Sequence, residues 1–508
     1  MYKVVFSLLL FSAVSFAQNF PLISPDAKST TETKLIYVND EIIKHWDGKK
    51  SNTVFADDLF LANSNRGYDL FDPAKQNALL NAVDKTLDAF QMLGMKGVGM
   101  AIQYPVLVNG FPNADKYLDF YKKVFQKIHS RGMMTAVGCQ ATFTDSVFGE
   151  ARLAADVNNW YNKGLNGNLL NSQRYLAEKT QMQQTIIDEL APDYLTIEME
   201  PSTQYVNLKK LINYDVNSFL SYINYFINHL NPRNVKLGAG AGTWDNIQYF
   251  DKVSSQTNCS FIDMHIYPSN SDYIVDKAFK VDSLAKKYNK ELIIGEAWCY
   301  KETDSEINSS TDAVATSGEI YQRDFFDYYQ PIDILFIKAI VNLSNLASVK
   351  ITSFFWPTVL FGYLTYNPAL HDTMTTKERQ KVGQQFGYDN MMAMSPSATG
   401  LYLKKLINLQ TGVEDKSGLN GNYFLLSQNY PNPFNPSTVI SFEIPSRNFV
   451  ELKIYDLLGR EITSLVNEEK DAGRYSIRFS GNDLASGIYF YRLTAGNYSQ
   501  TKKLILMK

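Results

Sequence analysis

Cysteine and histidine are scarce in this 508-residue sequence, which holds three of the first and five of the second. Cys139, Cys259 and Cys299 are too few and too widely spaced for a disulfide framework or for the paired ligands of a metal site. Neither a metal nor another cofactor is therefore expected, and stability must come from a large core. A basic excess is also missing: 49 Lys and Arg stand against 52 Asp and Glu, for a formal net charge of −3. That balance leaves no electrostatic footprint for a nucleic-acid partner. Beyond the first residues, no stretch approaches the ~20 continuous apolar residues of a transmembrane span. Aromatic residues, by contrast, are plentiful. With 32 Tyr and 31 Phe, the chain could furnish ring-stacking platforms or simply a β-rich core.

The first residues, MYKVVFSLLLFSAVSFAQ, combine a lysine near the start, an apolar stretch from Val4 to Phe16 and a small-x-small site ending at Ala17. That is the layout of a secretory signal, and residues 1–17 are expected to be one. From about 53 to 407, strand-like apolar runs alternate with amphipathic stretches. The runs are TVFADDLFLAN, GVGMAIQYPVLV, MMTAVGCQATF, DYLTIEME, VKLGAGAGTW, FIDMHIYP, ELIIGEAW and VKITSFFWP. Between them, segments such as 117–132, 214–231 and 273–290 repeat apolar residues every three or four positions, as one-faced helices do. Strands that are apolar throughout are buried on both faces, which is the habit of parallel sheets. Eight of them with crossover helices predict an α/β chain folded as a (β/α)₈ TIM barrel over residues 18–410. An open doubly wound sheet is the competitor. It would carry a GxGxxG turn after its first strand, and the sequence has none.

Residues 411–423 are polar and glycine-bearing, and read as a linker. From 424 to 508 short alternating strands follow one another without crossover helices, predicting a separate, small all-β immunoglobulin-like sandwich. LSQNYPNPFNPST (426–438), IYDLLGREI (454–462), DAGRYSIRF (471–479) and LASGIYFYRL (484–493) occur there in order. Together they closely resemble the C-terminal sorting domain of the type IX secretion system. Pro431, Pro433 and Pro436 suit a stiff extended entry and cannot donate within a central strand. The resemblance implies export across the outer membrane by that machinery, followed by removal of the domain or its use in surface attachment. It implies nothing about chemistry.

In a TIM barrel the site lies at the carboxyl ends of the strands. Strand four ends in Thr196, Glu198 and Glu200, which share a parity and so are expected to point the same way. Strand six carries Asp263, His265 and Tyr267. Strand seven ends in Glu296 and Trp298, and strand eight ends in Trp356. Polar residues on inward positions of apolar strands are costly unless paired or used. The rim is therefore the candidate site.

Two acids at that rim match the needs of glycoside hydrolysis, where one carboxyl protonates the leaving oxygen and the other attacks the anomeric carbon. The pattern resembles the retaining glycoside hydrolases whose acid/base ends strand four and whose nucleophile ends strand seven (clan A type). The resemblance assigns the acid/base to Glu200, before Pro201, and the nucleophile to Glu296 in IIGEAW. It implies that Tyr267 hydrogen-bonds the nucleophile, that His265 lines the site and that Trp356 floors the subsite. Trp298, Tyr104 and Trp244 are further sugar-stacking candidates, with Glu198 and Asp263 as supporting carboxylates behind the site. Two departures stand out: Met199 occupies the place of an asparagine that binds the sugar 2-hydroxyl, and the arginine near the end of strand two is missing.

The expected function is thus a secreted retaining, endo-acting β-glycosidase on a polysaccharide, with the type IX machinery as its other partner and a monomer as its working form. Two alternatives remain. One is a non-catalytic, surface-displayed carbohydrate-binding barrel. The other is a metal-dependent hydrolase using Asp263 and His265, for which the ligand clusters are lacking.

Overall fold

The computed structural model describes residues 21–144, 150–164, 166–267, 272–303, 305–306, 320–411, 425–426, 429, 433–444, 446–471, 473–496 and 498–507. The predicted signal peptide (1–17), nearly all of the linker, Pro431 and most of the stretch 301–320 lie outside them. Two compact units divide the chain, residues 1–410 and 411–508.

Eight parallel strands form the first unit: β1 Val54–Asp58, β2 Gly97–Ala101, β3 Met134–Gly138, β4 Tyr194–Glu198, β5 Lys236–Gly242, β6 Phe261–Ile266, β7 Glu291–Ala297 and β8 Ile351–Phe354. Each falls within one of the apolar runs. Strand β1 pairs with β2 on one side and with β8 on the other, which closes the barrel.

Helices fill the crossovers because their sequences bury one face and cap their own ends. On α3 (Ala114–Ser130) the buried residues are Tyr117, Phe120, Tyr121, Val124, Phe125 and Ile128. On α7 (Val216–His229) they are Phe219, Tyr222, Ile223 and Phe226. Asp215 caps α7 by accepting from the Asn217 and Ser218 amides, which satisfies donors that the helix itself leaves unpaired. Two helices serve the β3–β4 crossover, α4 (Ala151–Lys163) and α5 (Ser172–Glu189). The short α6 (Pro201–Asn207) starts directly after β4.

Most apolar side chains pack between the strands and the helix ring. Inside the barrel a layer of Ala56, Ala136, Tyr194, Phe261, Ile293 and Ile351 plugs the lower section. Above it the inward residues turn small or polar, and that change makes room for a site at the carboxyl ends.

An N-terminal helix, α1 (Pro25–His45), buries Leu35, Val38 and Ile42 against the barrel unit. It precedes the first of the alternating runs, and its apolar periodicity is too weak to mark it in the sequence. The Asn39 amide anchors this helix by donating to Leu335 O at 3.1 Å.

The second unit is all β, with two antiparallel sheets. One orders β13 (Gly473–Ser480), β10 (Ser437–Ile444) and β9 (Leu425–Leu426). The other orders β12 (Glu461–Lys470), β11 (Asn448–Tyr455), β14 (Gly487–Ala495) and β15 (Tyr498–Leu506). Ile440, Phe442, Leu452, Ile454, Tyr491 and Leu493 belong to one core shared by both sheets. Strand β12 is not evident from the sequence, for a physical reason. It is an edge strand whose only buried residue is Val466, and charged edges carry little hydrophobic alternation.

Candidate active site

Strand β4 does not keep the parity expected of it. Thr196 faces the barrel interior, where its hydroxyl donates to Asp263 Oδ2 at 2.6 Å. Against β5, however, the register slips between Thr196 and Glu198, the mark of a bulge. One extra residue reverses every later side chain. Glu198 therefore leaves the interior and enters the helix layer, contrary to the shared direction expected for Glu198 and Glu200. There its carboxylate accepts from Lys179 Nζ at 2.7 Å and from the Tyr175 hydroxyl at 2.8 Å, both on α5. The Tyr214 hydroxyl adds longer contacts at 3.3 and 3.4 Å.

Lys179 and Glu198 are both fully buried. Removing one partner of such a pair leaves an uncompensated charge, and the loss is about 3–5 kcal/mol. Lys179→Met should cost that much in urea unfolding, and Lys179→Met/Glu198→Gln should recover most of it. Equal losses in the single and double variants would show that the pair is not coupled.

Past the bulge Met199 turns inward. It packs so closely on Gly138 that a Cβ there would meet its terminal methyl at 2.6 Å. Glu200 then sits at φ 43°, in the left-handed region, which non-glycine residues adopt at a cost and mostly where the surroundings enforce it. Two features enforce it here. Pro201 is fixed as the first residue of α6, and the Ser202 hydroxyl donates to Asp245 Oδ1 at 2.6 Å. The result aims the Glu200 carboxylate across the barrel mouth.

Strands β6 and β7 meet it there. His265 Nδ1 lies 2.6 Å from Glu200 Oε1 and 3.8 Å from Glu296 Oε2. A second register slip, between Met264 and His265 on β6, brings Glu296 rather than Gly295 opposite His265. The Tyr267 hydroxyl donates to Glu296 Oε2. Asp263 sits behind these groups and accepts from Thr196 on β4 and from the Gly295 amide on β7, the latter at 2.9 Å. It braces the strands, and both its oxygens are taken.

The electrostatics follow from crowding acids into a dry space. Burial pushes the Glu296 carboxyl up to about 7, and Glu200 and Asp263 add to the rise; His265 and the Tyr267 hydrogen bond oppose it. Burial works against a charge on His265, yet Asp263, Glu296 and the bond to Glu200 together raise its imidazole well above the ordinary value. One oxygen each from Glu200 and Glu296 and one nitrogen of His265 fall within 4.8 Å of one another. That spacing would also admit a divalent cation; one oxygen of each carboxylate is hydrogen-bonded, Glu200 to His265 and Glu296 to Tyr267.

Aromatic rings surround this trio on one side. Half-buried Trp244 lies 5.2 Å from the Tyr267 ring. Trp298 is buried and contacts Tyr300 at 4.6 Å, Tyr321 at 4.7 Å and Trp356 at 6.3 Å. Trp356 is half-buried against Phe60 and holds φ 110°, an outlier for so bulky a residue. The indole N–H groups of Trp298 and Trp356 are buried without a partner.

Tyr104 does not join them. Its side chain is fully buried in the helix layer, where its hydroxyl donates to Glu178 at 2.6 Å and its ring stacks on Tyr161. The expectation that Tyr104 is a sugar platform is therefore corrected. Lying past the end of β2, it bridges to Ala141 and turns away from the mouth.

Several residues at this rim are not among those expected from the sequence. Asp58 ends β1 and lines a cavity together with Glu296; inspection of the strand end in TVFADDLFLAN is the signal that would have found it. Asp245, which holds Ser202, follows β5 in the same way. Tyr321 carries no signal at all, since it arrives from the far side of the long segment after β7.

Residues 428–507 match the family model described as a secretion system C-terminal sorting domain. That domain implies export, to a secreted or cell-surface location. Among the described residues no helix is long and apolar enough to cross a membrane. No curated protein matches the chain.

Solved structures similar to it include an endo-β-1,4-mannanase from Thermotoga petrophila, 12% identical, covering 91% of this chain and 98% of that one at a TM-score of 0.42. A second is an endoxylanase from Clostridium papyrosolvens C71, 9% identical, covering 85% and 95% at 0.39. A third is an exo-β-1,4-mannosidase from Opitutaceae bacterium strain TAV5, 10% identical, covering 72% and 61% at 0.42. Likenesses this distant add nothing to the barrel assignment, which stands on the strand pairing alone.

Proposed function

We propose that the barrel is a retaining β-glycosidase acting on a polysaccharide outside the cell. The observation that carries the reading is the pair of buried Glu200 and half-buried Glu296 at the mouth, bridged by His265, with an oxygen of each within 4.8 Å. Inversion needs a gap of about 6.5–9.5 Å to seat a water between the carboxyls, whereas retention needs about 5–5.5 Å. Nearest oxygens within 4.8 Å favour the shorter separation, and so retention.

In this reading Glu296 attacks the anomeric carbon while Glu200 protonates the leaving oxygen. Water then enters, Glu200 takes its proton, and the glycosyl–Glu296 ester is cleaved. The Tyr267 hydroxyl steadies the attacking carboxylate, and His265 holds Glu200 in place across the mouth. Trp356 and Trp244 offer faces on which a sugar ring can stack, and Trp298 packs beneath them. An endo mode fits a rim bordered by aromatics, and the working form in this reading is a monomer. Residues 1–17 would direct the first export step, and the sorting domain the passage through the outer membrane.

The test is hydrolysis by the purified chain of a panel of β-glucans, β-mannans and β-xylans, read as new reducing ends, with proton NMR of the first product formed. Release of a β-anomer ahead of mutarotation is expected. An α-anomer would refute retention. Binding without any hydrolysis would leave the non-catalytic carbohydrate-binding barrel as the function.

A further inference from the structure

Beside Glu296 the barrel interior opens into a cavity that extends towards β1, β2 and β3. Its wall includes Asp58, Ala101, Gly138, Met199, His265 and Glu296. Two glycines let its walls pack closely: a Cβ at Gly138 would strike Met199, and one at Gly295 would meet Asp263 at 2.4 Å.

Two polar groups in the wall decide what it can bind. His265 is buried, and its Nε2 is already turned to Asp263 Oδ2 at 3.5 Å, while its Nδ1 is engaged with Glu200. Asp58 is only 6% exposed. One of its oxygens accepts from Asn63 Nδ2 at 2.6 Å, and the other makes no hydrogen bond to a described residue. Asp58 lines the cavity beside Glu296, so that second oxygen is available to a ligand there. Among the described residues no lysine or arginine lines the cavity, so His265 is its only cationic group against the carboxyls of Asp58, Asp263 and Glu296.

We propose that Asp58 is a substrate-contacting, specificity-determining residue: it hydrogen-bonds a hydroxyl of the sugar bound against Glu296 and confines that position to sugars without a carboxylate. The inference rests on the glycosidase reading of the same site. Burial, reinforced by the nearby Glu296, holds the Asp58 carboxyl well above the usual carboxylate range. It therefore meets the ligand as a carboxylic acid able to donate. A uronic acid would add one more carboxylate to this wall without a cation to pair it, and a buried unpaired charge is strongly disfavoured.

The experiment compares wild type, Asp58→Asn and Asp58→Ala on matched oligosaccharides, one neutral and one bearing a uronic acid at the cleaved position. Binding is measured separately by calorimetry in the Glu296→Gln background. Asp58→Ala should lose about 30-fold in kcat/KM on the neutral substrate, the scale of one hydrogen bond to a buried group. Asp58→Asn, which keeps a donor, should recover most of that loss. In the Glu296→Gln background the uronic-acid substrate should bind at least about tenfold more weakly than its neutral match.

Wild-type kcat/KM in a folded Asp58→Ala, or equal binding of the two oligosaccharides, overturns the proposal. Should Asp58→Ala fail to fold, a loss in Asp58→Asn as large as that of an unrelated rim variant also overturns it. If the wild type hydrolyses nothing, the glycosidase reading fails on its own. The calorimetric comparison of Asp58→Ala with its parent then decides the Asp58 contact separately, and absence of any sugar binding refutes both.

Discussion

Replacing Glu296 by glutamine is expected to abolish hydrolysis, with a loss in kcat of at least ~10⁴-fold, while oligosaccharide affinity is kept. Removing the nucleophile of a covalent mechanism removes the route itself, and only the residual assistance of the remaining groups survives. Steady-state kinetics and calorimetry on the same preparation separate the two effects. Undiminished turnover would end the assignment of Glu296 as nucleophile.

The same variant has a second signature, in stability. Burial holds the folded-state carboxyl at about 7, above its ordinary value of 4.5. Below that ordinary value the group is protonated in both the folded and unfolded states. As the pH climbs through about 7, the folded protein must accommodate a buried anion that the unfolded chain leaves in water. Wild type therefore forfeits stability over that interval, and Glu296→Gln does not. Thermal unfolding should show the variant more stable at pH 8, with the advantage shrinking as the pH falls towards 4.5. The activity of the wild type should move the other way, rising through pH about 7 as the attacking group ionises. Active sites commonly trade stability for reactivity in this manner.

Glu200→Gln should lower kcat by about 10²–10⁴-fold on natural glycans, the usual range for a general acid–base group. The loss depends on what leaves. An activated phenol needs little protonation, so the first step is spared and the second, which needs Glu200 as base, becomes limiting. With such a substrate the variant should show a burst of phenol and accumulate a protein heavier by one glycosyl unit, located on Glu296 by peptide mass mapping. Equal losses across leaving groups, with no heavier species, would remove Glu200 from the proton-transfer role.

Much of this arrangement is legible in the sequence, and the failures share a cause. All eight barrel strands fall inside apolar runs because a sheet buried on both faces must be apolar throughout. Glu296, His265, Tyr267 and Trp356 follow from the rule that barrel chemistry sits at strand ends. Glu198 is misdirected because a bulge adds one residue without leaving a trace in composition, and a parity argument fails once the count is off by one. Tyr104 lies beyond the end of its strand, where alternation no longer governs direction. Asp58 is open to the same strand-end rule but is overshadowed by strands with more acids. Tyr321 cannot be found, since nothing local marks a residue delivered by a long excursion.

The ion pair of Lys179 with Glu198 also bears on how reliably the chain finds this arrangement. Apolar contacts between a helix and a strand are forgiving, and sliding α5 by one turn, about 5.4 Å, would trade one set of such contacts for a similar one. The buried pair makes that slip conspicuous, because it would separate charges that water cannot reach. A misthreaded barrel is thus penalised at the strand that delivers Glu200, two residues from the side chain whose placement matters most. On that argument the ion pair would act as a proofreading contact for the strand that carries Glu200, set in the helix layer.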